Sequence, residues 1–477
     1  MLTYLKRVGK KSAIYGFGDF LVRAAGFFLI PIYTRFLNPA DYGILSSALV
    51  LSSILSIVYR LGLDGASCRF YFDFEGEERR RYFGTIFIFL VLFALGLTLI
   101  LHKNGDFLSK IFRNIPYDPY LKLVLWITFF STFSAIPLVL YRMREEAHRY
   151  IFFQVSNFIV LTLSIIYFVT YLKEGAIGSL KGRFLCFILF FFIYIILTLK
   201  EIKFSFSGSK LINSLKFGVS IVPHLFFHWV LELSDRILLE RLSNLREVGL
   251  YSLGYRLGGA MNYVIGAINK AWVPFFYNTD KQKGEEAKYI FSNMITYCLT
   301  FIIFAGLCLS VFSKEILVIF ATPKYYESFK IIPLIVLACI FRGMYNFSVN
   351  VIFLKKKTSS LPLITGISAG VNLGLNIIMI PKLGILGAAY STVLGYLTLF
   401  LLTYFFAKKY YSIPHQWQRL AKAGLAAGAI YFFATYFFKN FAILKLLLLL
   451  SYPVILYLIG FFTAEEKNGI SRHILRG

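Results

Sequence analysis

Nine ionisable side chains stand where hydrocarbon would exclude them. Arg23, Arg60, Arg236, Arg256, Lys270 and Arg342 fall inside long apolar runs, and so do Asp19, Glu232 and Asp235. A charge at mid-bilayer costs several kcal/mol, so such residues face a protein interior or a wet cavity. The excess has one sign, six cations to three acids. A guanidinium is a planar fork of N–H donors that fits phosphate oxygens bidentately. Spacing groups these residues further. Arg60 shares a helical face with Ser53 and Ser56, and Arg342, Asn346 and Asn350 recur every four residues as one polar stripe. Arg256 and Lys270 are fourteen residues apart, about four turns of one helix. The cations suit the lining of a central cavity, with Asn346, Asn350 and Tyr345 meeting hydroxyl groups. Simpler readings stay open: Asp19 and Arg23, four apart, can pair with each other, and Arg60 and Lys270 can snorkel from helix ends.

A second constellation lies on the seventh apolar run. His224, His228, Glu232, Asp235 and Arg236 fall within roughly 120° of one another around a helix. Carboxylates and imidazoles take up protons or Na⁺ inside membranes, so this face is a candidate for ion coupling by H⁺ or Na⁺. A cap at Asp235–Arg236 with histidines packed between helices explains it equally well. The spacing His224–Leu–Phe–Phe–His228 lacks the glutamate of a zinc-protease motif, and neither a metal site, a cofactor nor a catalytic residue is expected.

The elements that must position these groups are membrane helices. The chain has 477 residues, 58% hydrophobic and only 16% charged, against about 25% charged in soluble proteins. Five scattered cysteines exclude a disulfide scaffold. Continuous apolar runs, rather than alternating ones, favour helices over a barrel. Fourteen spans are expected, at about 13–36, 41–65, 83–101, 120–141, 150–171, 184–199, 217–239, 248–272, 289–312, 331–354, 361–380, 386–406, 420–438 and 441–462. The net charge of +26 resides in short clusters between runs, a pattern of topology instead of nucleic-acid binding. With the N-terminus inside, cytoplasmic segments hold 28 Lys and Arg and outer loops 16. A cytoplasmic-membrane protein of a bacterium or archaeon with both termini inside is expected, and no cleavable signal peptide.

The chain also repeats itself. Arg35–Ser46, RFLNPADYGILS, matches Arg241–Ser252, RLSNLREVGLYS, at an offset of 206, with Asn38 on Asn244, Gly43 on Gly249 and an acid at Asp41 and Glu247. A second echo joins Gly175–Ala–Ile–Gly178 to Gly384–Ile–Leu–Gly387. The offset spans six helices, so the expected architecture is two six-helix bundles related by a pseudo-twofold axis along the membrane normal, plus two C-terminal helices. The expected divisions are 1–205, 206–412 and 413–477. Pro31 and Pro223 should kink the lead helix of each half, and Gly366, Gly370 and Gly374, like Gly254 and Gly258, form small-residue stripes suited to close packing.

The stretches LNPADYGILS and RLGLDGASCRFYF before Phe72, and LSDRILLERLSNLREVGLYSLGYRL at Leu233–Leu257, resemble the signatures of bacterial polysaccharide-biosynthesis membrane proteins. These belong to the multidrug/oligosaccharidyl-lipid/polysaccharide flippase superfamily. The resemblance implies a non-enzymatic flippase of the O-antigen translocase type. Such a protein moves an undecaprenyl-pyrophosphate-linked repeat unit between leaflets by alternating access. Related flippases carry essential cations in their first, second and eighth spans, where Arg23, Arg60 and Arg256 or Lys270 occupy similar places. Implied partners are the lipid-linked glycan, membrane lipids and polysaccharide polymerase or chain-length machinery, with no nucleic acid. The last two spans, nearly free of charge after Lys422, suit a groove for the polyprenyl tail or plain lipid contact. Lipid II is an alternative substrate on the same fold. A multidrug cation antiporter would want an acidic or apolar site. A glycan polymerase or ligase would want catalytic groups on a sizeable outer loop, and the loop 102–119 has Asp106 and Asp118 without a compact constellation.

Overall fold

The structure is a computed structural model in which residues 26–464, 466 and 467 are described; Asp19 and Arg23 lie outside the described residues. It is all-helical, 87% helix, with no strand among the described residues. Among the described residues, ten stretches are long and apolar enough to cross a membrane, and Ala442–Leu458 adds a shorter apolar one. One of the ten, Leu245–Val311, runs for 67 residues and contains three helices, Leu245–Gly258, Met261–Lys283 and Ala287–Val311. The fourteen expected spans place an eighth and a ninth in this stretch. Large apolar side chains cover the outer surfaces, among them Ile443 at 76% exposure and Leu425 at 74%. Faces of this kind suit hydrocarbon as their solvent, and the protein is a multi-pass membrane protein.

Local chemistry sets the helix ends. The Asn38 side chain accepts the Asp41 N–H at 2.8 Å, and Pro39 sits in the first turn, where a missing donor costs nothing. Asn244 repeats the cap on the Glu247 N–H at 2.9 Å. Leu61 and Gly62, both left-handed, stop the Pro39–Arg60 helix. Gly208–Leu242 is one helix of 35 residues with Pro223 inside it, and helix also continues through Pro31 over 26–36. A proline removes a single donor, and membrane helices absorb that loss without ending.

Two compact units emerge. The first comprises the chain up to Ser252 with Phe320–Tyr325 and Asn376–Ile385; the second comprises Leu253–Ile319, Tyr326–Leu375 and the chain from Leu386 onward. In the first, Gly208–Leu242 packs along Pro39–Arg60 and Leu63–Phe70. The connecting segment 202–207 is threaded along the start of the Gly76–Lys103 helix. Lys203 N–H donates to the Arg80 carbonyl at 3.0 Å and Thr85 Oγ1 to the Ser205 carbonyl at 3.0 Å. In the second, Trp417–Tyr436 packs on Ala287–Val311, and Ala423, Ile430, Leu307 and Tyr452 share one apolar core.

Candidate functional site

Within the first unit, Arg60 ends its helix beside the break between Lys122–Thr132 and Ala135–Met143. Its guanidinium reaches Asp64 Oδ2 at 3.0 Å, the Ser131 carbonyl at 3.3 Å and Ser134 Oγ at 3.5 Å. Ser53 accepts the Trp229 indole N–H at 2.8 Å, which ties the second expected span to the seventh. On the seventh, His224 and His228 stand with ring centroids 6.4 Å apart, and His228 Nδ1 lies 3.5 Å from Glu232 Oε2. All three are partly exposed. Asp235 differs. It is 1% exposed, ion-paired with Arg236 at 2.9 Å and hydrogen-bonded by the Tyr251 hydroxyl. The structure therefore separates the expected ion-coupling face into an accessible trio and a buried, packed pair.

The second unit holds Arg256, Lys270, Arg342, Asn346 and Asn350. Arg342 lies 5.9 Å from the Tyr396 ring centroid, a cation–π geometry. Asn350 is buried and donates to the Asn346 carbonyl at 2.7 Å, so the stripe is tied along its own helix. The single-helix argument for Arg256 and Lys270 does not hold. Helix Leu245–Gly258 ends before Met261–Lys283 begins, and bonds from Ala260, Asn262 and Tyr263 each reach three residues back. Two adjacent glycines, Gly258 and Gly259, allow the break. Arg256 is half-buried and Lys270 exposed. The glycine stripes also part company: Gly254 and Gly258 press against Ile331 and Ile335, whereas Gly370 and Gly374 face open space.

This unit also contains an apolar cavity of about 570 Å³ between Ala287–Val311, Ile332–Leu354, Ile385–Tyr410 and Trp417–Tyr436. Leu307, Leu337, Phe341 and Tyr390 wall it, and Lys330 is the charged residue at its margin. Gly424 and Gly428 line it with nothing within 4 Å of where a Cβ would stand.

Sequence reasoning missed two anchors of the last helices. Lys445, counted with the loops, is 3% exposed and pairs with Glu315 at 2.6 Å. Arg419 binds Glu466 Oε2 at 3.0 Å and lies over the Phe461 ring at 4.5 Å. Burial alone would raise the Glu466 carboxyl, but hydrogen bonds from Tyr297 and the Thr463 N–H, with the Arg419 charge, hold it below its ordinary value. The signal available was a lone lysine in the apolar stretch Ala442–Leu450.

Bundles of long apolar helices define a polytopic helical membrane protein. The family model described as polysaccharide biosynthesis protein matches residues 8–280, more than half of the chain, and the chain belongs to that family. Among relatives, Lsg locus putative protein 1 of Haemophilus influenzae is 26% identical over 58% of this chain and 68% of its own. An uncharacterized membrane protein of Methanocaldococcus jannaschii is 21% identical over 86% and 85%. In fold, the chain is similar to the lipid II flippase MurJ in an inward closed conformation, with TM-score 0.77, 16% identity and 94% and 98% of the two chains covered. It is also similar to an inward-facing multidrug resistance MATE family transporter, with TM-score 0.64, 13% identity and coverage of 84% and 95%. The family is thus one of polysaccharide biosynthesis, and the fold is one shared with a flippase and with a transporter.

Proposed function

We propose that the protein carries an undecaprenyl-pyrophosphate-linked glycan unit from the inner to the outer leaflet of the cytoplasmic membrane. Both termini are in the cytoplasm. The halves before and after residue 206 alternate access, and the two C-terminal helices form a third part. The carrying observation is the apolar cavity, bounded by the first of those helices, in a chain of a polysaccharide-biosynthesis family. A polyprenyl tail is the long hydrocarbon such a cavity suits. Arg60, Arg256, Lys270 and Arg342 supply the cations a diphosphate requires, and Asn346 and Asn350 supply amides for sugars. Arg23 joins them by its sequence position. His224, His228 and Glu232 are the accessible groups for a proton or Na⁺, with Asp19 a further carboxylate. Asp235 serves this site through packing. A membrane polymerase is the partner that consumes the product.

The test is transfer of a fluorescent undecaprenyl-pyrophosphate-linked trisaccharide across proteoliposomes, with lipid II offered in parallel. A Cβ at Gly428, which lines the cavity, has nothing within 4 Å, so the side chain of Gly428→Leu would extend into the cavity. It should cut the transfer rate about tenfold with thermal stability unchanged. Arg342→Ala should abolish transfer in well-inserted protein. Full rates in both variants would overturn the assignment, and transfer of lipid II alone would replace the substrate.

A further inference from the structure

We propose that the repeated segments 35–46 and 241–252 are the outer gate of this cycle: their glycines hold the two halves together, and the acid of each segment lies beside a glycine of its own half. The orientation rests on the proposed function above. The contact is reciprocal. A methyl group on Gly43 would overlap the Leu245 carbonyl oxygen, and one on Gly249 would overlap the Pro39 carbonyl oxygen. Leu245 stands to Pro39, as Gly249 stands to Gly43, at the offset of 206. Gly249 N is 3.2 Å from the Cβ position of Gly43, and Gly43 N is 3.1 Å from that of Gly249. Exchanging the segments returns the same contact, as a local twofold axis requires. Only glycine lets two backbones approach this closely.

Further bonds at this end join residues before 206 to residues after it. Thr34 Oγ1 donates to the Phe320 carbonyl at 3.1 Å, Thr322 Oγ1 to the Thr34 carbonyl at 2.8 Å, and the Tyr325 hydroxyl to the Leu37 carbonyl at 3.1 Å. The buried Glu240 carboxylate accepts the N–H groups of Arg113 and Asn114.

The acids behave otherwise. Asp41 Oδ2 lies 3.9 Å from the Cβ position of Gly175, and the Glu247 carboxylate crowds that of Gly384. Both glycines have positive φ, 62° and 55°, and stand at the start of a helix, where negative charge is favourable. Asp41 and Gly175 both precede residue 206; Glu247 and Gly384 both follow it. The second sequence echo thus lies beside the first, once per half. Beneath the crossing, Ser47 Oγ and Ser252 Oγ are buried without a hydrogen-bond partner. Water entering a parted gate would satisfy both. Rigid halves that separate here would keep each acid beside the glycine of its own half and lose the glycine crossing, the threonine and tyrosine bonds and the Glu240 brace.

The experiment uses the full chain with its five cysteines replaced and Ser47→Cys as reporter, labelled by a membrane-impermeant maleimide from outside intact cells. The parent should be protected. Gly43→Ala and Gly249→Ala should each speed labelling by about tenfold, to the same extent. Labelling at the parental rate in both, with normal insertion and unfolding temperature, overturns the proposal. A second measurement covers variants that misfold. Thr34→Cys with Thr322→Cys, joined by a short reducible cross-linker, should stop transfer of the fluorescent undecaprenyl-pyrophosphate-linked trisaccharide and recover on reduction. Undiminished transfer at complete cross-linking would make the crossing a fixed pivot and overturn the gate. If labelling responds as expected but the unlinked protein transfers no trisaccharide, the gate stands and the substrate assignment falls.

Discussion

The surroundings of the helices Pro39–Arg60 and Gly208–Leu242 differ between their two ends. Where the repeated segments cross, the polar groups are buried: Asp235 is 1% exposed, and Glu240 and Tyr251 are fully buried. At the opposite end the ties are exposed ion pairs. Lys203 pairs with Glu77 at 2.7 Å with both side chains about half exposed, and Lys210 pairs with Glu78. The glycine contact there is one-sided. Gly218 presses on Leu61 and Gly62, but the residues 206 positions away from this pair, at 12 and 268, carry no matching glycines. Burial makes each interaction at the first end expensive to break, and the glycine contact there is reciprocal. The second end depends on the threaded connection 202–207, so its contacts belong to chain geometry more than to the repeat.

The largest effect should come from breaking the buried pair beside the crossing. Asp235→Ala leaves the Arg236 guanidinium buried without its carboxylate, which typically costs about 3–5 kcal/mol. Thermal unfolding in detergent should show a large drop. Replacing both residues with apolar side chains of similar volume should recover most of it, because the desolvation penalty then disappears with the charges. A single variant with parental stability would show that the two ends are not distinguished by burial.

This contrast marks the limit of what the residue pattern revealed. Apolar run length gave the helices and the multi-pass class, since hydrocarbon leaves the backbone little choice. The 206-residue echo marked the two segments as repeats of each other, but that they meet is seen only in the contact of Gly43 and Gly249. What pattern missed was pairing. Helical spacing put Asp235 on the His224 face, but only the packing of Tyr251 and Arg236 shows that its carboxylate is taken up by protein. Spacing also ran Arg256 and Lys270 along one helix, because a Gly–Gly pair reads as tolerable in an apolar run even where the helix breaks. The cavity beside Gly424 and Gly428 was invisible, since an open space leaves no residue to mark it.

A smaller effect should appear at the one-sided contact. Gly62 has φ of 71°, a left-handed conformation costing another residue about 1–2 kcal/mol, and a methyl group there would also overlap the Gly218 backbone. Gly76 has φ of 49° with nothing within 4 Å of its Cβ position, so Gly76→Ala isolates the conformational part. Gly62→Ala should lower the unfolding temperature more than Gly76→Ala. Equal drops would mean that the close approach to Gly218 contributes nothing.

The smallest effect should come from the exposed ion pairs of the same end. Exposed pairs hold long side chains in one geometry for little Coulombic gain in high dielectric, and salt screens them. Glu77→Gln with Glu78→Gln removes the carboxylates facing Lys203 and Lys210, yet the segment 202–207 keeps its backbone bonds to Arg80 and Thr85. The unfolding temperature should stay within the scatter of measurement, and raising the salt concentration should leave parent and variant alike. Thr85→Val offers the sharper contrast. It deletes the hydroxyl that donates to the Ser205 carbonyl and accepts the Ser207 N–H at 3.1 Å, and so leaves two backbone groups of the connection without that partner. If the double glutamine variant proves less stable than Thr85→Val, charge rather than backbone threading holds this end together.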